Sequence, residues 1–156
     1  MSIVEAARPQ KCERETLLEW YLPADPEAVP EARSRAMQVC SEVGITADHC
    51  FELDVALGEA LANAVLHGAP AASRKGSQSS IVMSIWRYDA SLIIQVRDSG
   101  SGFNPPPPPY LMPAACSGET HGRGLPLMET LTDAMIACRG SVDEGGVSIY
   151  LIKSLV

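Results

Sequence analysis

The sequence predicts an α/β domain of the α+β kind, a two-layer sandwich whose mixed, mostly antiparallel sheet carries helices on one face. Three observations predict it. Two neighbouring stretches between Val29 and Val65 repeat their apolar residues at helical spacing. Short β-type runs flank them, and two of these runs are separated only by Asp89-Ala90-Ser91, the mark of a hairpin. The chain has 156 residues and 46% hydrophobic content, which suits one core and leaves too little interior for two.

Residues 1–12 read as a flexible lead-in, and residues 13–156 as a single domain. Glu13 to Leu22 holds Leu17, Leu18, Trp20, Tyr21 and Leu22, a strand with imperfect alternation. Pro23-Ala24-Asp25-Pro26 breaks it, and Asp25 is placed to cap a helix with Pro26 in its first turn. Val29, Ala32, Ala36, Val39, Cys40 and Val43 give that helix its apolar stripe, and Gly44 ends it; Pro30 moves its regular start a few residues inward. Thr46 caps a second helix with the stripe Cys50, Leu53, Leu57, Leu61 and Val65, predicted to end at Gly68 and to give way to a small, polar loop over 69–79. Ile81 to Tyr88 and Leu92 to Arg97 form the hairpin. From Asp98 to His121 periodicity is lost, and the run Pro105 to Pro109 lacks backbone donors and favours an extended chain. Leu125, Leu127, Met128 and Leu131 predict a short helix starting near Gly122. A final strand pair, Ala134 to Cys138 and Val147 to Ile152, turns at Asp143 to Gly146. Trp20 and Trp86 read as core or interface aromatics, Met128 and Met135 as core fillers.

Charge excludes one class of function. The net charge is −7, with 12 basic residues scattered among 19 acidic ones, whereas binding to nucleic-acid phosphates requires clustered cations. The five cysteines, at 12, 40, 50, 116 and 138, show no C-x-x-C spacing. Cys40, Cys50 and Cys138 sit within apolar patterns as small hydrophobes, so neither a disulfide framework nor a structural zinc site is expected. Residues Met1 to Gln10 lack a signal-peptide core, and no apolar run approaches the ~20 residues that span a bilayer. The expectation is a cytoplasmic protein without membrane or direct nucleic-acid contact.

Three stretches carry candidate chemistry. Glu59 and Asn63 are one helical turn apart, so an acid and an amide share a face, while Leu57 and Leu61 share another. Alone, such a pair is commonplace on a solvated helix. Asp98-Ser99-Gly100-Ser101-Gly102-Phe103 follows an apolar strand: the aspartate suits an exocyclic amine, and the glycines allow close backbone approach. Alone, D-x-G-x-G is as often a turn. His121-Gly122-Arg123-Gly124-Leu125 opens a helix whose unpaired N–H groups suit phosphate, or else it is a linker before a capped helix.

In this order the three stretches resemble the GHKL ATPase superfamily, whose nucleotide site is the Bergerat fold. Glu59 to Gly68 (EALANAVLHG) is similar to its N box, Asp98 to Phe103 (DSGSGF) to its first glycine box and Gly122 to Met128 (GRGLPLM) to its second. Within the superfamily, the pattern E-A-x-x-N-A-x-x-H-G and the opening G-R-G-L-x-L-M resemble RsbW/SpoIIAB-type anti-sigma factors that are serine-protein kinases. The resemblance spans roughly residues 13–153. It implies ATP and Mg²⁺ as cofactors, Asn63 as the metal ligand and Glu59 as the catalytic base. It further implies Asp98 as the reader of adenine in a pocket shaped by Gly100 and Gly102. Phosphates would be received around His121, Gly122, Arg123, Gly124 and Leu125, under a lid over about 103–121. A sigma factor, a STAS-domain anti-anti-sigma substrate and a second copy of the chain are the implied partners. His67 reads as a cap at the C-terminal end of its helix rather than a catalytic group.

Two departures stand out. The family's last glycine motif carries G-T before a strand, where this chain has Gly145-Gly146-Val147-Ser148, so an adenine-side hydroxyl is lost unless Ser148 or a water replaces it. The lid is filled with proline. Two other functions remain open on the same fold: a non-catalytic ATP-dependent binding module, and the ATP-binding domain of a histidine kinase, which needs a phospho-accepting histidine on a helical hairpin.

Overall fold

The computed structural model describes residues 14–75, 80–98, 124–139 and 146–155, with the side chains of 68–75 and 80 left aside. Its elements follow the expected order: β1 (Arg14–Pro23), a 3₁₀ turn (Pro26–Ala28), α1 (Val29–Glu42), α2 (Ala47–Lys75), β2 (Ser80–Tyr88), β3 (Ser91–Asp98), α3 (Gly124–Leu131), β4 (Ala134–Arg139) and β5 (Val147–Ser154).

Local chemistry explains most boundaries. The Asp25 carboxylate accepts the Glu27 N–H at 3.0 Å, and Pro30 falls in the first turn of α1, where no intrahelical donor is needed. At the other end Gly44 takes φ +87°; its N–H reaches the Ser41 carbonyl at 3.1 Å, and that of Ile45 reaches Cys40 at 3.2 Å. That bond pair closes a helix with a left-handed residue and satisfies two orphan carbonyls. Thr46 then opens α2, its hydroxyl accepting the His49 N–H at 3.3 Å.

The second helix departs from expectation. It does not stop at Gly68 but continues through Pro70 to Lys75, 29 residues in all. Ala69, Ala71 and Ala72 have the best helix propensity, and here they carry the helix past one glycine and one proline. His67 therefore lies two turns inside the helix and is no C-terminal cap.

The sheet has the order β1-β2-β3-β5-β4, and every pairing is antiparallel. Its register aligns Met83 with Val96 and Ile85 with Ile94 across β2–β3, then Val96 with Ile149 and Ile94 with Leu151 across β3–β5. These buried residues form the face under the helices. Leu53, Leu57 and Leu61 of α2 are fully buried against them, each contributing about 1.5–3 kcal/mol on transfer from water. Met128 and Met135 fill the same core, as expected.

The opposite face has no helix over it among the described residues. Trp86 lies there, its ring beneath the Arg14 guanidinium at 4.0 Å and edge-on to Tyr150. Trp20 is on the helix side, under Arg35 of α1. Cys138 departs from expectation: it is exposed, because on edge strand β4 it alternates with buried Met135 and so shares the uncovered face with Ile136.

Candidate nucleotide site

The site is assembled where α2, the end of β3, the start of α3 and the start of β5 meet. Glu59 and Asn63 are half-buried on α2, one turn apart, next to fully buried Ala60. α3 begins at Gly124, directly against them. A Cβ on Gly124 would stand 3.3 Å from Glu59 Oε2, 3.4 Å from Asn63 Nδ2 and 3.8 Å from Asn63 Oδ1. Residues 61 and 65 positions apart in the chain are thus in contact. A side chain at position 124 would crowd the Glu59 carboxylate.

Asp98 closes β3 on the helix-covered face, continuing the inward series Leu92, Ile94 and Val96, and is 5% exposed. Burying a carboxylate this deeply demands polar partners. One is the backbone N–H of Val147, which donates to Asp98 Oδ1 at 3.4 Å. The chain reaches that point through Gly146, which takes φ +74°. A Cβ on Gly146 would overlap the Asp98 carbonyl oxygen and lie 3.1 Å from Asp98 Oδ1. Two glycines therefore bring backbone onto the two acidic positions, Gly124 onto Glu59 and Gly146 onto Asp98.

Gly146 was not among the residues singled out for the site. Its signal is its place in the family's last glycine motif before a strand, and the structure adds that it touches Asp98. The structure also decides the missing hydroxyl. Ser148 pairs with Arg97 and faces the uncovered side of the sheet, where its Oγ accepts from Gln95 Nε2 at 3.3 Å. Buried Val147 occupies the position beside Asp98, so Ser148 does not replace the threonine hydroxyl. Alternation along β5 forces this: adjacent residues point to opposite faces.

Of the other expected residues, Leu125 is partly buried and packs on the core. Gly100, Gly102, His121, Gly122 and Arg123, with the lid over about 103–121, lie outside the described residues. Among the described residues no group of three or more His, Cys, Asp or Glu is placed to hold a metal ion. The chemistry of the residues nevertheless fits a hard cation brought by a nucleotide: the Asn63 amide oxygen is a suitable ligand for one, and the rest of its shell would come from the nucleotide and water. The glycine at 124 is the cradle a side chain would fill.

One residue before Glu59, Arg33 of α1 pairs with Asp54 of α2 as a two-pronged fork, Nε to Oδ1 at 2.9 Å and Nη2 to Oδ2 at 3.0 Å, over the bare backbone of Gly58. No described helix is long and apolar enough to cross a membrane.

Comparison with known proteins identifies the family and the fold. Residues 22–153 match the family described as "Histidine kinase-like ATPase domain". The chain is 29% identical over 147 residues to the serine-protein kinase RsbW of Bacillus subtilis strain 168, covering 88% of this chain and 85% of that one. It is 31% identical over 147 residues to RsbW of Bacillus licheniformis, with the same two coverages. A crystal structure of the RsbU and RsbW domains of a Mycobacterium tuberculosis protein superposes with a TM-score of 0.61 at 19% identity. The match covers 88% of this chain but 32% of that larger one, and it shows the fold.

Proposed function

Because the chain belongs to the histidine kinase-like ATPase domain family, we propose that it is an anti-sigma factor and serine-protein kinase of the RsbW type. In this reading it binds a sigma factor and uses Mg-ATP to phosphorylate a serine on a STAS-domain antagonist. It works in the cytoplasm as a homodimer, with residues 13–156 as one domain and 103–121 as its lid. The observation that carries the reading is the seat of Gly124 on Glu59 and Asn63, matched by that of Gly146 on a buried aspartate at a strand end. The RsbW relatives add the reaction class, since they are named serine-protein kinases.

The residues divide the work as follows. The Asp98 carboxylate accepts a hydrogen bond from the adenine amino group, held in place by the Val147 N–H and the Gly146 turn. Backbone N–H groups at the start of α3, with Gly122, Arg123 and His121 before them, receive phosphate oxygens. Asn63 offers its amide oxygen to Mg²⁺, which when bound neutralises phosphate charge. Glu59 takes the proton from the incoming serine hydroxyl as its oxygen bonds to the γ-phosphorus and the bond to the ADP oxygen breaks. Rate comes mainly from positioning and charge compensation, as in phosphoryl transfer generally.

Incubation with γ-labelled ATP, Mg²⁺ and a panel of STAS-domain proteins tests this. Label on a serine of one of them is the expected result. Label on a histidine of this chain would instead indicate a histidine-kinase module, and tight ATP binding with no transfer a non-catalytic switch.

A further inference from the structure

We propose that Gly124 is a positioning residue for Glu59 and Asn63: its missing side chain sets where the acid and the amide stand, in addition to anything its backbone does for phosphate. The inference rests on the ATP-site reading above and deepens it. Three facts support it. The space a Cβ would take at position 124 is bounded by functional atoms of both residues, at 3.3 Å from the carboxylate and 3.4 Å from the amide. At 3.3 Å the Glu59 carboxylate must give by a few tenths of an ångström, while the Asn63 amide is at ordinary van der Waals contact and limits where the carboxylate can go. The helix backbone under them is fixed, since Ala60 and Ala64, next to them on α2, are buried in the core, so it is the Glu59 side chain that turns. Finally, Gly124 needs no glycine for conformational reasons: it is a helical residue, and its φ is not among the positive ones. Alanine would even be the better helix former here. The glycine is explained by what it faces.

A methyl group at position 124 leaves the backbone N–H of α3 where it is, but presses the Glu59 carboxylate away from its place beside the Asn63 amide. Binding and chemistry should therefore separate. Small displacements of a catalytic group cost far more in turnover than in affinity, since the reacting geometry tolerates little error.

The test compares wild type with Gly124→Ala, using Mg-ATP as the probe, binding by calorimetry and turnover by ADP release. The expected result is a turnover lowered about tenfold or more with ATP affinity changed less than about threefold. A second readout needs no nucleotide. In ligand-free protein, Gly124→Ala should lower the melting temperature by about 2–4 °C. In a Glu59→Ala, Asn63→Ala background, where the crowding atoms are gone, the same substitution should be neutral or stabilising. Equal losses of affinity and turnover would overturn the inference and make Gly124 a phosphate contact. So would a melting-temperature loss that is the same in both backgrounds, or an unimpaired Gly124→Ala beside an active wild type; these leave the ATP-site reading standing. A wild type that binds no ATP overturns that reading, and the inference with it.

Discussion

The two parts of α2 are held in opposite ways. Toward its N-terminus, side chains meet side chains: Glu52 accepts from buried Lys153 of β5 at 3.0 Å, Asp54 forks with Arg33, and Leu53 and Leu57 fill the core. Farther along, Glu59 and Asn63 meet the bare backbone of Gly124, and on the neighbouring strand Asp98 meets that of Gly146. Side-chain pairs use up their own polar capacity and stabilise the fold. Glu59 and Asn63, facing a glycine, border space that a side chain at position 124 would otherwise take. One part is built for stability and the other for ligand, although the same helix supplies both.

The sharpest way to break this comparison is at Asn63. Asn63→Ala should lower Mg²⁺-dependent ATP turnover by more than about a hundredfold. Unfolding free energy should stay within about 1 kcal/mol of wild type, as for a half-buried residue outside the core. Comparable losses in both would show that Asn63 belongs to the scaffold. Next in size is Gly146→Ala, which forces a β-carbon into a left-handed conformation and onto the Asp98 carbonyl. A loss of about 2–3 kcal/mol in urea unfolding is expected, with weakened ATP binding. A neutral result would mean that the approach of β5 to Asp98 is not constrained as described.

The stability part has its own signature. Glu52→Ala strands the buried Lys153 ammonium, at 6% exposure, and should cost about 1–2 kcal/mol, less than a fully buried pair because Glu52 is 38% exposed. Lys153→Met should cost less, since it removes the charge that needs a partner. Neither should change ATP affinity. If Glu52→Ala weakens ATP binding tenfold, the two parts of α2 are not independent.

Much of this fold was legible in the sequence because it is written locally. Asp25 and Gly44 mark the ends of the first helical segment, Thr46 the start of the next, and the alternation on either side of Asp89-Ala90 marks the hairpin. Asp89, at φ +53°, is one of the few residue types that tolerates that turn. The pairing of Glu59 with Asn63 was legible for the same reason. What was not legible is non-local. That Gly146 abuts Asp98, that Val147 rather than Ser148 turns inward, and that Cys138 is exposed all follow from the register and order of the strands, which no window of a few residues contains. The overrun of α2 past Gly68 has another cause: the alanines around Gly68 and Pro70 outweigh the two helix breakers.

The thiols give the smallest predicted effect. Burial pushes the Cys40 thiol from its ordinary 9.0 up to about 12, while Cys138 is exposed. At pH 8 an alkylating reagent should modify Cys138 in the folded protein and reach Cys40 only on unfolding, read by peptide mass mapping. The sign of the pH effect follows. With its folded value raised, Cys40 contributes its stability fully below pH 9 and loses it as pH climbs toward about 12, because the unfolded chain ionises first. Rapid labelling of Cys40 at pH 8 would show that the α1–α2 corner opens readily.

The central claim is that three distant stretches meet at one nucleotide. Titration of the labelled protein with Mg-ATP, followed by amide NMR shifts, tests it most directly. Signals of Glu59, Asn63, Asp98 and Gly124 are expected to move together along one binding curve, with Glu52 and Lys153 still. Shifts confined to one of these segments, centred on the Glu52–Lys153 pair or absent altogether would contradict it.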